Sequence, residues 1–108
     1  MNIRQWEIWK AKPEEFKSDH WFVIISGQER LDGPRHQVNG LACFTLRGEP
    51  MASDVRLNSA DGFSAPTVCQ CDLVFLLDKN KLHTQIGVVS WERQQSIKSK
   101  VKEVLRFF

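Results

Sequence analysis

His20 stands at the entrance to an uninterrupted apolar run, in Lys17-Ser18-Asp19-His20-Trp21-Phe22-Val23-Ile24-Ile25-Ser26. An unperturbed imidazole titrates at roughly pH 6.5, so it can take or give a proton in catalysis where most side chains cannot. At the mouth of a buried strand it is either a group that acts on substrate or a plain loop residue. A second set, Arg30, Arg35 and His36, falls within residues 27–40, whose Gly27, Gly33, Pro34 and Gly40 read as one long connection. A cationic loop of this kind either holds an anion or is simply a solvated surface loop. Cysteine is the remaining chemistry-bearing type. Cys69 and Cys71 are two apart, so in a strand their thiols share one face. A lone Cys-x-Cys pair with Cys43 elsewhere lacks the ligand set of a structural zinc site, so reduced, half-buried thiols and no metal or other cofactor are expected.

The elements that must hold these groups are mostly strands. Ile3, Trp6 and Ile8 alternate with polar neighbours and predict a first strand, in whose core Trp6 and Trp9 pack, with Trp21 on the next. Pro13 opens a polar loop, and Trp21–Ser26 is a short β-branched and aromatic run, as a central strand requires. Leu41–Leu46 predicts a third strand and Asp54–Asn58 a fourth. Residues 58–66 read as a turn cluster. Thr67–Asp78 predicts one long strand or a pair broken near Asp72; residues 78–82 turn, and Thr84–Ser90 is the last short strand. The C-terminal segment differs, because residues 91–108 contain no Gly or Pro and follow Ser90, a good helix N-cap. Ile97, Val101, Val104, Leu105 and Phe108 fall on one helical stripe, and Arg93, Lys98, Lys100, Lys102 and Arg106 on a basic one. Six or seven short strands followed by a helix predict a mainly β fold: a small antiparallel barrel-like sheet with the helix packed on it.

Composition sets wide bounds. A chain of 108 residues is one domain, 1–108, with no room for a second core, and it gains from burying further surface in a dimer. A net charge of +2 permits a local basic face and does not by itself require a polyanion. No apolar stretch approaches the roughly 20 residues that span a bilayer. Charges interrupt the N-terminal residues where a signal peptide would have its apolar region, so a cytoplasmic protein with no membrane partner is expected.

Taken in order, these segments resemble the PemK/MazF family of toxin endoribonucleases. Gln5-Trp6-Glu7-Ile8-Trp9 is similar to the family's opening strand, and Phe22-Val23-Ile24-Ile25-Ser26 to its second. The clearest likeness runs from Val55 through Asp78-Lys79, Leu82 and Ile86-Gly87-Val88-Val89-Ser90 into the terminal helix. The resemblance implies a small SH3-like (CcdB/PemK-like) barrel with a C-terminal helix, a homodimer, single-stranded RNA as substrate, metal-independent cleavage and silencing by a cognate antitoxin peptide.

The resemblance also gives the opening histidine a setting. Before the second strand the family carries Arg-Pro, with the Arg in its cleaving site; here those positions are His20-Trp21. A family Thr or Ser at the end of the third strand is matched by Thr45. Arg47, two residues on, shares a strand face with Thr45 and is placed to supply the absent guanidinium. Cleaving RNA through its own 2′-hydroxyl requires a base, an acid for the leaving 5′-oxygen and a cation for the phosphorane charge. Arg serves as the cation and is a poor base; His is the reverse, so the exchange alters the mechanism or abolishes it. The expected catalytic set is therefore His20, Thr45 and Arg47. The resemblance makes Arg30, Arg35 and His36 RNA contacts that position phosphates without reading bases, against the plainer reading of a solvated surface loop. Against the nuclease stands a noncatalytic module of the same fold that binds a protein or nucleic-acid partner. The gyrase-poisoning branch of that fold ends Trp-Gly-Ile, whereas this chain ends Arg106-Phe107-Phe108, which disfavours that activity.

Overall fold

The computed structural model describes residues 2–106. They form β1 (Glu7–Ala11), β2 (His20–Ile24), α1 (Gln28–Asp32), β3 (Gln37–Thr45), β4 (Asp54–Leu57), β5 (Thr67–Asp78), β6 (His83–Val88) and α2 (Trp91–Leu105). Single 3-10 turns occupy Ser59–Asp61 and Lys79–Lys81. The six strands are antiparallel neighbours in the order β4-β5-β3-β2-β1-β6. The sheet curls into a half-barrel, and both of its faces are covered. On one face Ile8, Val23, Leu41, Cys43, Cys69 and Leu57 pack beneath Ile97 of α2. On the other, Trp9, Phe22, Ile24, Ala42 and Leu77 pack with Leu31 of α1. Two buried faces explain why β2 and β3 read as unbroken apolar runs rather than alternating ones.

β5 is a single strand, and its irregularity falls where the sequence placed a break. Leu41 pairs with Val74 while Cys43 pairs with Cys69, so extra β5 residues around Asp72 bulge out and bend the strand. Residues 27–40 are not one loop. Residues 28–32 are helical, and β3 already begins at Gln37. A helix of one and a half turns cannot persist on propensity alone. Leu31 anchors it in the core, and the Lys79 ammonium donates to the Leu31 and Gly33 carbonyls at 2.9 and 3.0 Å, satisfying its C-terminal end.

The first strand is shorter than expected and starts at Glu7. Trp6 sits at φ 74, in a turn closed by Glu7 N–H to the Arg4 carbonyl, and is half-buried; so is Trp21, and only Trp9 of the three is buried. Ser90 occupies the N-cap of α2 but makes no side-chain cap. Its backbone N–H donates instead to Oδ1 of the buried Asp61, at 2.8 Å. Oδ2 of Asp61 accepts from Asn58 N–H, so one carboxylate ties the 59–61 turn to the helix start. The backbones there meet so closely that a Cβ on Gly62, itself at φ 105, would lie 2.7 Å from the Ile86 carbonyl oxygen. The helical stripe is narrower than its spacing suggests. Ile97 is buried and Val101 packs on the core, whereas Leu105 is 37% exposed; Phe108 lies outside the described residues. The helix packs chiefly on β4 and β5. Among the described residues, no helix is long and apolar enough to cross a membrane.

Candidate active-site cleft

β2 begins at His20 and β3 ends at Thr45, so both lie where the two strands terminate side by side. An open cleft of about 500 Å³ sits there, bordered by His20, Thr45, Arg47, Ser64 and Thr67, with Cys43 and Phe63 at its apolar floor. The three residues expected to act together thus border one cavity.

They do not share a face. The register that pairs Trp21 with Cys43 sets His20 beside Phe44, and the two rings meet with centroids 5.2 Å apart. Successive strand residues point to opposite sides, so Thr45 belongs with Cys43 and Trp21 on the other face. His20 and Thr45 reach the cleft from opposite sides of the sheet's end, with Arg47 beyond Thr45. The Arg47 side chain has no hydrogen bond or ion pair to a described residue, which leaves the guanidinium open to an anion.

His20 is held from two directions. Its Nδ1 lies 3.1 Å from the Ser18 carbonyl oxygen. A carbonyl only accepts, so Nδ1 carries a proton, and in the neutral ring Nε2 keeps its lone pair. Nε2 has no partner among the described residues. The imidazole also meets Phe16 edge-to-face, at 4.6 Å and 76°. The preceding Asp19 reaches His83 on β6, Oδ2 to Nε2 3.4 Å, across the end of β1; both side chains are largely exposed, so this pair steadies the loop only weakly.

The expected RNA-contacting set divides. Arg30 donates its Nε to the Gln37 carbonyl at 2.9 Å, bracing α1 against β3. Arg35 and His36 border a second, larger cleft of about 680 Å³ at the start of the 12–19 loop, together with Lys12 and Lys81. Glu14, Glu15 and Asp78 also line it, so its charge is mixed. His36 Nδ1 lies 3.0 Å from the Asn80 amide nitrogen. Phe16, Ser18, Lys12 and Lys81 carried no signal of their own in the sequence; only the register and the loop's path bring them to these sites.

All three cysteines are free and buried. Cys43 and Cys69 are cross-strand partners, and Cys71 lies beside Cys69. The Cys69 thiol is pushed up by its hydrogen bond with Cys43 and by burial. The Cys71 thiol is pushed far up by its hydrogen bond with Cys69 and then by burial. These are inert core thiols. Among the described residues, no group of three His, Cys, Asp or Glu side chains is arranged to hold a metal.

No protein-family model matches the chain, and no curated protein matches it in sequence. Solved structures do match in shape. A mycobacterial endoribonuclease in complex with its cognate antitoxin superimposes with a TM-score of 0.84 at 15% identity, covering 98% of this chain and 97% of that one. The Mycobacterium tuberculosis toxin MazF-mt6 gives 0.80 at 17% identity, over 94% and 98%. MazE-MazF from Deinococcus radiodurans gives 0.80 at 13% identity, over 100% and 99%. At such identities the likeness is one of backbone architecture, and it spans the whole molecule: the chain has the fold of the MazF toxins.

Proposed function

We propose that the protein is a toxin-like endoribonuclease that cleaves single-stranded RNA without a metal ion. The observation that carries this reading is the cleft at the paired ends of β2 and β3, where an imidazole and a guanidinium, each without a partner among the described residues on its reactive side, flank a threonine hydroxyl. Nε2 of His20 takes the 2′-hydroxyl proton. The 2′-oxygen attacks phosphorus, Arg47 and Thr45 hold the charge growing on the phosphorane, and the 5′-oxygen departs. The imidazolium so formed returns its proton to that oxygen, His20 being the one imidazole bordering the cleft. The products are a 2′,3′-cyclic phosphate and a 5′-hydroxyl. Arg35, His36, Lys12 and Lys81 hold the strand's phosphates at the start of the 12–19 loop.

The solved structures that match in fold and carry antitoxins support a cognate antitoxin peptide as partner. Two exposed apolar side chains at the junction of β6 and α2, Val88 at 47% and Trp91 at 71% exposure, support a homodimer. Single-stranded RNA incubated with the protein in a chelator tests the catalytic reading. Fragments ending in 2′,3′-cyclic phosphate are expected; intact RNA overturns it. A noncatalytic binding module is the second reading. What favours it is the exchange of the family's Arg-Pro for His20-Trp21, with the imidazole already tied to Ser18 and two phenyl rings.

A further inference from the structure

Phe16, Phe44 and the Ser18 carbonyl meet on one small side chain: the β2–β3 register supplies Phe44, and the 12–19 loop adds Phe16 and Ser18. A histidine that merely ended a strand would turn its ring to water. Here Phe16 comes from the 12–19 loop and Phe44 from β3, and their rings lie nearly parallel, 18° apart, with centroids 6.4 Å apart. His20 stands roughly perpendicular to both, at 76° and 60°. Phe16 is fixed in turn by Phe22 and Phe75, at 5.6 and 5.1 Å, so the wall behind the imidazole is continuous with the core. Edge-to-face contact sets the positive rim of one ring against the negative face of the next, and so prefers particular orientations.

We propose that Phe16 and Phe44 are positioning residues that lock the His20 ring in one flip state. Rotating that ring by a half-turn about its Cβ–Cγ bond would exchange Nδ1 with a carbon. The Ser18 carbonyl would lose its donor, and the phenyl faces would meet a different edge. With the ring locked, the proton stays on Nδ1 and Nε2 keeps its lone pair on the open side. Free histidine in water prefers the other tautomer, with the proton on Nε2, which cannot act as a base from that atom. The Phe–His–Phe arrangement therefore selects the minor tautomer and makes a base of it. This inference deepens the nuclease reading, because the locked atom is the one to which that reading gives the proton transfer. It names two residues to which that reading gave no role.

Tautomers are read directly by nitrogen NMR of the full chain, without RNA. Long-range proton–nitrogen spectra of wild type are taken well above the titration range of an imidazole, and His20 is assigned by its disappearance in His20→Gln. The expected pattern is a protonated Nδ1 and an unprotonated Nε2. In Phe16→Leu and Phe44→Leu, each checked for a native melting transition, that pattern shifts toward a protonated Nε2. Two separate variants keep the test alive where one does not fold. In RNA cleavage the same variants lose about tenfold in kcat with KM little changed, as expected when a base is misoriented rather than substrate lost. A protonated Nε2 in wild type overturns the proposal, as does an unchanged Nδ1–H pattern in both phenylalanine variants. A locked tautomer in a protein that leaves RNA intact upholds the positioning and removes only the nuclease reading.

Discussion

His20 and Phe44 are neighbours across the β2–β3 ladder, their rings 5.2 Å apart, and this places His20 and Thr45 on opposite faces of the sheet. In the proposed reaction the imidazole and the hydroxyl therefore approach the scissile phosphate from two sides. A division of labour follows: proton transfer on one side, charge stabilisation on the other.

Removing the imidazole should stop cleavage. His20→Ala is expected to cut the rate on single-stranded RNA on the order of a hundredfold to ten-thousandfold, the span of a lost general base. His20→Arg keeps a cation and loses the base, so it should be nearly as slow. Full activity in His20→Ala would return His20 to a purely structural place. Activity appearing only in His20→Arg would identify a lapsed toxin whose scaffold survives.

Position along α2 decides what a charge costs there. Ile97 is 1% exposed, so Ile97→Asp buries an unpaired carboxylate and should cost about 3 kcal/mol or more. Leu105 is 37% exposed at the far end, and Leu105→Asp should stay within about 0.5 kcal/mol. Urea denaturation of the two variants separates them; equal losses would mean that the helix packs along its whole length.

The core thiols should resist alkylation. Their hydrogen bonds to one another and their burial hold Cys69 and Cys71 protonated when folded, whereas unfolded thiols ionise around pH 8.5. Iodoacetamide is expected to modify both only after denaturation. The sign of the linkage is fixed as well. Below about pH 8.5 both states hold their thiol protons and this contribution is fully present; above it the unfolded chain releases protons that the native one keeps, so stability falls as pH rises. Rapid labelling of the native protein at neutral pH would show that these thiols are accessible.

Lys79 joins two elements through the Leu31 and Gly33 carbonyls. Lys79→Met keeps the aliphatic stem and removes both bonds to the end of α1, with an expected cost of about 2 kcal/mol. Hydrogen exchange should quicken first over residues 28–33. A uniform change across the sheet would mean that α1 is not the element Lys79 secures.

Trp91 offers the test of assembly. Wild type should scatter light as a dimer at micromolar concentration, and Trp91→Glu should halve the mass without lowering secondary structure, since its ring is 71% exposed in the single chain. A wild-type monomer would count against the proposed interface, and so would a dimer untouched by the substitution.

Local pattern was enough for much of this molecule. β-Branched and aromatic runs mark β2, β3 and β5, and the spacing of Ile97 and Val101 marks α2, because strand and helix periods are properties of the chain itself. The grouping of His20, Thr45 and Arg47 around one cleft came from the family resemblance rather than from local pattern. What spacing could not supply was the side from which each group enters. That depends on pairing Trp21 with Cys43, and a slip of one residue would have put His20 beside Thr45. Helix α1 lay hidden among glycines because its carbonyls are satisfied by Lys79, 46 residues from Gly33 along the chain. Arg30 reads from sequence as a phosphate ligand, yet its partner is a carbonyl that comes within reach only when α1 folds against β3. Each of these rests on a contact between segments distant in sequence, and such contacts are settled by burial and register rather than by the residues on either side.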